Sequence, residues 1–117
     1  MADKPNLVFA LDPHLTQDLL TPALLERLAR TCTIHRGAPL RDYATAQARR
    51  QLEQADILFT GWGAPRVDAG TLAIARRLRL IAHAGSAVKP IAAPEVWTAG
   101  VAVTVAAAAN AVPVAEY

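Results

Sequence analysis

Short apolar runs alternate with helical patterns along this chain, and that alternation constrains its fold more than any other feature. Apolar runs of about four to eight residues bounded by turn residues are typical of buried strands, whereas apolar residues three and four apart are typical of helices. Strands that alternate with helices are joined by right-handed crossovers, which make the strands parallel. The predicted strands are 7–11, 32–34, 55–60, 78–83 and 101–105.

The helical segments carry start and stop signals. Thr21 is a suitable N-cap and Pro22 suits the first helical position, so a helix is predicted to begin there. Asp68 can cap another helix, and Gly100 suits the left-handed conformation that ends one. Further helices are predicted over 41–54, 68–77 and 94–99, with the first turns of one more at 112–117.

Five such strands in 117 residues predict a flavodoxin-like α/β fold, with a parallel five-stranded sheet in the order 2-1-3-4-5 and helices on both faces. Hydrophobic residues make up 53% of the chain and charged residues 19%, a balance that favours a packed core over disorder. We expect one domain, spanning residues 1–105.

Composition disfavours several classes of function. A net charge of +2, with arginines scattered along the chain and 5% aromatic residues, does not favour nucleic-acid binding. The single cysteine, Cys32, excludes an internal disulfide and is predicted to be a buried apolar residue. No signal-peptide layout and no apolar run of membrane-spanning length occurs, so a cytoplasmic protein without membrane contact is expected. His14 and His35 lack partners at metal-ligand spacing, so no metal site is predicted.

Loops at the carboxyl ends of the predicted strands are where a ligand is expected, because open parallel sheets bind ligands at that edge. The loop 61–63 places a tryptophan between two glycines, and the small residues of 84–87 leave N–H groups that could bind an anion. The glycines could equally serve only to end the strands. His83 is interpreted as a packed or surface histidine rather than a catalytic one. Neither a dinucleotide fingerprint nor a P-loop occurs in the sequence.

Residues 55–117 resemble the N-terminal half of the D-isomer-specific 2-hydroxyacid dehydrogenases, which include phosphoglycerate, glycerate and formate dehydrogenases. The likeness consists of short elements in the family's order and spacing, whereas residues 1–54 agree with the family only in pattern. These elements are A-D-I-L at 55–58, L-R-L-I-A at 78–82, A-G-S-A-V at 84–88, G-V-A-V at 100–103 and N-A-V-P-V-A-E at 110–116.

The resemblance implies the substrate-binding domain of an enzyme that moves a hydride between NAD or NADP and a small 2-hydroxy or 2-oxo acid. It implies that residues 106–117 begin the helix crossing to an NAD-binding domain, and that the parent protein is a homodimer. It assigns substrate binding to two loops and to one residue before the crossing helix. The loop amides of Gly85, Ser86, Ala87 and Val88 would bind the substrate carboxylate, Trp62 and Gly63 would face the substrate, and Asn110 would lie near it.

No catalytic or cofactor-binding residue is assigned within this chain. The family's catalytic arginine, its acidic partner, its acid–base histidine and its dinucleotide fingerprint all follow the region of resemblance. We therefore expect this chain to be an inactive part of a larger dehydrogenase. Two positions depart from the family: Lys89 stands where an aspartate is usual, and Ala87 replaces a glycine while keeping its N–H. Lys89 is interpreted either as a cation for an acidic or bulky substrate or, the preferred interpretation, as a surface residue.

A binding or regulatory module without catalysis is the alternative interpretation. A phospho-acceptor receiver domain would need an acidic cluster after the first strand and an aspartate at the end of the third, but Asp12 stands alone and the third strand ends at Thr60-Gly61. A flavin carrier would need a hydroxyl- and glycine-rich loop where the chain has Asp12-Pro13-His14. A module that binds small acids therefore stays open.

Overall fold

The computed structural model describes residues 4–35 and 38–106, apart from the side chain of Gln17. The predicted helix at 112–117 and Asn110 lie outside these residues. The strands are β1 (Asn6–Ala10), β2 (Thr33–Ile34), β3 (Ile57–Thr60), β4 (Leu80–His83) and β5 (Ala102–Val105). The helices are α1 (Pro13–Leu19), α2 (Pro22–Thr31), α3 (Ala46–Gln54), α4 (Ala69–Ile74) and α5 (Pro94–Thr98).

All five strands are parallel and lie in the order β2-β1-β3-β4-β5, which confirms the predicted flavodoxin-like sheet. The register aligns the strand ends, since Ala10 pairs with Thr60 and Thr60 with His83. The segments after β1, β3 and β4 therefore leave the sheet at the same edge. No helix in the described part of the chain is long and apolar enough to cross a membrane.

Helices cover both faces of the sheet. On one face, Leu7, Phe9 and Leu11 pack with Leu20 and with apolar residues of α2. This cluster also buries Cys32, as predicted. On the other face, side chains of α3, α4 and α5 pack over the central strands; the fully buried members include Leu52, Leu58, Ile81 and Val96. Burial of each such side chain contributes roughly 1.5–3 kcal/mol, so the two apolar faces fix the placement of the strands.

Several helix boundaries confirm their sequence signals. The Thr21 side chain accepts a hydrogen bond from the Leu24 N–H at 3.2 Å, and Pro22 follows at the first helical position. Asp68 caps α4 by accepting from the Thr71 N–H at 3.0 Å. Gly100 has a φ of +80°, so it ends α5 in the left-handed region that glycine adopts without strain.

Two other boundaries differ from the prediction. Helix α3 begins at Ala46 rather than Arg41, because the Thr45 hydroxyl caps it by accepting from the Ala48 N–H at 3.0 Å. Helix α4 ends at Ile74 rather than Arg77. The Thr45 cap competes with a helix that would continue toward Arg41, and apolar spacing alone does not register this competition.

Helix α1 is absent from the sequence prediction, which places no helix between the strand at 7–11 and the helix that begins at Thr21. The Asp12 carboxylate accepts a hydrogen bond from the His14 N–H at 2.9 Å, and Pro13 occupies the first helical position. An N-cap aspartate followed by proline is a helix-start signal. The helix was missed because its seven residues are too few to show a clear apolar period.

Asp56 joins three strands at the amino edge of the sheet. Its carboxylate accepts from the Asn6 N–H at 2.8 Å and lies 3.5 Å from the Arg77 guanidinium. Its main-chain carbonyl accepts from the Arg79 N–H at 2.9 Å. The side chain is buried, so this carboxylate fixes the start of β1 beside β3. The A-D of the A-D-I-L element at 55–58 thus has a structural role, far from the carboxyl edge.

Candidate functional site at the carboxyl edge of the sheet

A cleft of about 400 Å³ opens at the carboxyl edge of the sheet, between α1 and the segments that follow β3 and β4. Its volume lies in the range of small-molecule sites, roughly 300–1,000 Å³. Seven residues line it: Leu15, Asp18, Leu19, Gly61, Trp62, Ala84 and Gly85.

The segment after β3 is held against the end of β1 by main-chain hydrogen bonds. The Gly61 N–H donates to the Ala10 carbonyl at 3.1 Å, and the Asp12 N–H donates to the Trp62 carbonyl at 2.7 Å. Gly63 has a φ of +88°, and a Cβ on it would lie 2.9 Å from the Asp12 Cβ. The second glycine of this loop is therefore required by its backbone conformation and by its contact with Asp12.

Trp62 itself projects from this fixed loop. Its side chain is 74% exposed although it is the largest apolar group at the cleft. An exposed tryptophan beside a cleft provides a wide, rigid contact surface for a ligand or another domain.

The segment after β4 passes directly over a buried histidine ring. The Ala84 N–H donates to the Thr60 carbonyl at 2.8 Å, and the Gly85 carbonyl accepts from the Ala106 N–H at 3.0 Å. A Cβ on Gly85 would lie 2.7 Å from the His83 Nε2, so only glycine fits above that ring without displacing it.

Four successive main-chain N–H groups in this loop have no acceptor among residues 4–35 and 38–106. Consecutive unpaired N–H groups can form a concavity that binds an anion. Gly85 is buried, Ser86 and Ala87 are exposed, and Val88 is half-buried. The four donors belong to Gly85, Ser86, Ala87 and Val88.

His83 supports this loop from below. Its ring is 6% exposed, and its Nδ1 lies 2.9 Å from the Thr60 Oγ1. Burial lowers the pKa of His83 below its usual value, although hydrogen bonds from the ring to the main-chain carbonyls of Ala87 and Thr60 oppose this shift. The ring is therefore neutral at pH 7. Of the two interpretations drawn from the sequence, packed or surface, its burial shows the packed one.

The structure brings some of the sequence-predicted site residues together. Trp62 and Gly85 line the same cleft, and Ser86 and Ala87 continue the loop that leaves it. Val88 begins the next turn, where its carbonyl accepts from the N–H groups of Ile91 and Ala92. Gly63 packs on Asp12 and is not among the lining residues. Asn110 lies outside the described residues.

Sequence reasoning missed the wall that α1 contributes. Leu15, Asp18 and Leu19 project from this helix into the cleft. The signal that could have found them is the N-cap Asp12 followed by Pro13, from which the facing residues follow at helical spacing.

A nicotinamide dinucleotide does not fit the described part of this chain. Its pyrophosphate is commonly bound by a glycine-rich turn at a helix N-terminus. Here the turn after β1 is Leu11-Asp12-Pro13, and its carboxylate already accepts the hydrogen bond from His14. Among residues 4–35 and 38–106, no group of three or more metal-ligating side chains could hold a metal ion.

Comparison with known proteins supports the fold. No protein-family model matches the sequence, and no curated protein shows significant similarity to it. Among solved structures, a phosphoglycerate oxidoreductase from Vibrio cholerae O395 is similar, with a TM-score of 0.62 and 16% sequence identity. The matched region covers 88% of this chain and 31% of that one, so this chain spans less than a third of that protein's length. At this identity the likeness establishes a shared fold.

Proposed function

We propose that this chain is the substrate-binding part of an NAD(P)-dependent 2-hydroxyacid dehydrogenase, and that it binds the carboxylate of a 2-hydroxy or 2-oxo acid. The observation that carries the proposal is the run of unpaired N–H groups at Gly85–Val88, beside a cleft of ligand size. The fold shared with a phosphoglycerate oxidoreductase supports it, as does the family resemblance of the same loop.

Main-chain donors suit this task. A carboxylate offers two oxygens that can each accept more than one hydrogen bond, and successive N–H groups converge on it without adding a group that titrates. Because the loop is anchored by Ala84, Gly85 and the buried His83 ring, its donors are oriented before the substrate arrives. Such preorganised donors lower the cost of binding and of fixing the acid beside a reactive partner.

The described residues of the cleft supply binding and not the chemical step. Reduction of a 2-oxo acid requires a hydride donor and an acid that protonates the developing alkoxide. His83 is buried, and Asp18 is the one titratable side chain among the described residues that line the cleft. Under this proposal the acid–base group and the nicotinamide site belong to other parts of the protein.

A small-acid-binding module without catalysis is the second candidate, because no accessible acid–base histidine, lysine or cysteine lines the described cleft. The two candidates differ in whether the protein, purified from its own cells, catalyses a reaction. We propose measuring NADH and NADPH oxidation by that purified protein with a panel of 2-oxo acids. Turnover supports the dehydrogenase, whereas binding without turnover supports the module.

Two variants at one position test the role of the loop. Ser86→Pro removes one of the four N–H donors, while Ser86→Ala removes the exposed hydroxyl and keeps the donor. With folding checked by circular dichroism, Ser86→Pro is expected to raise the dissociation constant of the acid about tenfold, the value of one charge-assisted hydrogen bond, and Ser86→Ala to leave it unchanged. Equal dissociation constants for the two variants would argue against carboxylate binding by this loop.

A further inference from the structure

The composition of the cleft walls points to the kind of side chain that the acid carries. We infer that the site takes 2-hydroxy or 2-oxo acids with an apolar side chain, branched aliphatic or aromatic, and discriminates against acids that carry a phosphate or a second carboxylate. The inference rests on the proposed function and names the substrate class of that same site.

Three large apolar side chains surround the space next to residues 85–88, the proposed carboxylate-binding loop. Leu15 and Leu19 project from successive turns of α1, and Trp62 projects from the segment after β3. Leu19 is 37% exposed and Trp62 is 74% exposed, so both present apolar surface to solvent at the cleft. Covering adjacent exposed apolar groups removes them from water and lowers the free energy, so such groups mark a surface that favours an apolar ligand.

The floor of the cleft leaves room for a substrate side chain. Gly61, Ala84 and Gly85 are the residues that the strand ends contribute, and none has a side chain larger than a methyl group. Gly61 is held small by the Leu11 Cβ, which would lie 3.1 Å from a Cβ at residue 61. An acid bound by the loop amides can therefore extend its side chain over this floor toward the α1 wall.

The charge of the described lining disfavours a phosphorylated acid. Asp18 is exposed and is the one ionisable side chain among the lining residues within 4–35 and 38–106, which include no arginine, lysine or histidine. A phosphate monoester is close to a dianion at neutral pH and is normally matched by cations or by further N–H donors. Lys89, the cation that follows the carboxylate-binding loop, is exposed and does not line the cleft. Asp18 would repel a second anionic group.

The same features bear on how this cleft compares with the structurally similar protein. The name of that protein, phosphoglycerate oxidoreductase, gives a phosphorylated substrate. A shared fold does not determine which substrate is bound, because specificity depends on the side chains of the site. The apolar α1 wall and the acid at residue 18 predict a different substrate for this chain.

Fluorescence of Trp62 tests the inference. The chain has two tryptophans, and Trp97→Phe leaves Trp62 as the sole indole reporter; Trp97 is on α5, which packs on the other face of the sheet. The Trp97→Phe chain is titrated with D-2-hydroxy-4-methylpentanoate, D-3-phosphoglycerate and glycolate, which do not absorb at the excitation wavelength. The apolar acid is expected to bind at least about tenfold more tightly than either of the others, the discrimination that a branched aliphatic group gives in an apolar pocket.

A charge reversal provides the second arm. Asp18→Lys is expected to tighten binding of D-3-phosphoglycerate several-fold and to leave binding of the apolar acid within about twofold. Glu53→Lys is the matched control, because it makes the same change in net charge at an exposed position on α3 and should alter neither affinity.

The outcomes distinguish the inference from the proposed function. Equal binding of all three acids, or tighter binding of the phosphorylated one, would overturn the apolar specificity while supporting carboxylate binding by the loop. If no acid binds at tens of millimolar, the proposed function fails and the inference falls with it.

Discussion

Substitution of Gly85 by alanine tests how the buried histidine supports the carboxylate-binding loop. A Cβ at this position would lie 2.7 Å from the His83 Nε2 and 3.3 Å from its Cε1. The ring would have to retreat by about 0.7 Å to reach ordinary van der Waals contact. It cannot do so freely, because it is buried and its Nδ1 lies 2.9 Å from the Thr60 Oγ1.

Two costs set the expected magnitude. Overpacking of a filled site costs typically about 1–3 kcal/mol. Stretching the contact between His83 and Thr60 would add part of a buried hydrogen bond, on the order of 1 kcal/mol. We therefore expect Gly85→Ala to lower the free energy of unfolding by about 2–3 kcal/mol.

Urea denaturation followed by circular dichroism measures this change. Gly70→Ala is the control: it lies in α4, its nearest contact would be 3.4 Å from the Asp68 Oδ1, and it should be neutral or slightly stabilising. In a chain that already carries His83→Ala, Gly85→Ala should lower the free energy of unfolding much less than it does in the wild type, because the ring it would clash with is gone. A Gly85→Ala chain as stable as the wild type, or an unchanged cost in the double variant, would refute the role assigned to the ring.

Three further predictions concern buried polar groups. The Tyr43 hydroxyl is buried without a partner in the described residues, so Tyr43→Phe should raise the free energy of unfolding by up to about 1 kcal/mol; a loss of that size would show that the hydroxyl is bonded. The lowered pKa of His83 means that, below its ordinary value of 6.5, the unfolded chain binds a proton that the folded chain resists. The free energy of unfolding should therefore fall as pH drops from about 7.5 to 5.5, and this slope should diminish in His83→Asn but persist in His14→Asn. Asp56→Ala should destabilise by about 1–3 kcal/mol because it leaves the Asn6 N–H without an acceptor, and full stability of this variant in the same urea assay would count against that bond.

The strands and most helix boundaries were predictable because the signals that mark them lie close together in the sequence. Each buried strand is a short apolar run closed by a turn residue, and the caps at Thr21, Asp68 and Gly100 set helix boundaries that the structure confirms. The strand order followed from the class of alternating strands and helices and was confirmed as well. The reason for an acid at position 56 could not be predicted from the sequence. The groups that contact the Asp56 carboxylate belong to Asn6 and Arg77, which lie far from it along the chain.

The candidate site was predictable in part. The loops at Trp62 and Gly85 came from strand-end position and family resemblance, and they lie at one cleft. The wall opposite was not foreseen, because α1 has only seven residues and two leucines to mark its apolar side. That wall decides the composition of the cleft, so the sequence pattern indicated two of the loops at the cleft without indicating the apolar wall that faces them.

Amide chemical shifts of the ¹⁵N-labelled chain during titration with oxamate, a carboxylate isosteric with pyruvate, test the carboxylate-binding loop most directly. This measurement registers binding even at millimolar dissociation constants. The account predicts saturable shifts at the amides of Gly85, Ser86, Ala87 and Val88, with smaller shifts at Trp62, and none of these with neutral acetamide. If those four amides stay unmoved while resonances elsewhere respond, or if acetamide moves them as far as oxamate does, carboxylate binding by this loop is contradicted.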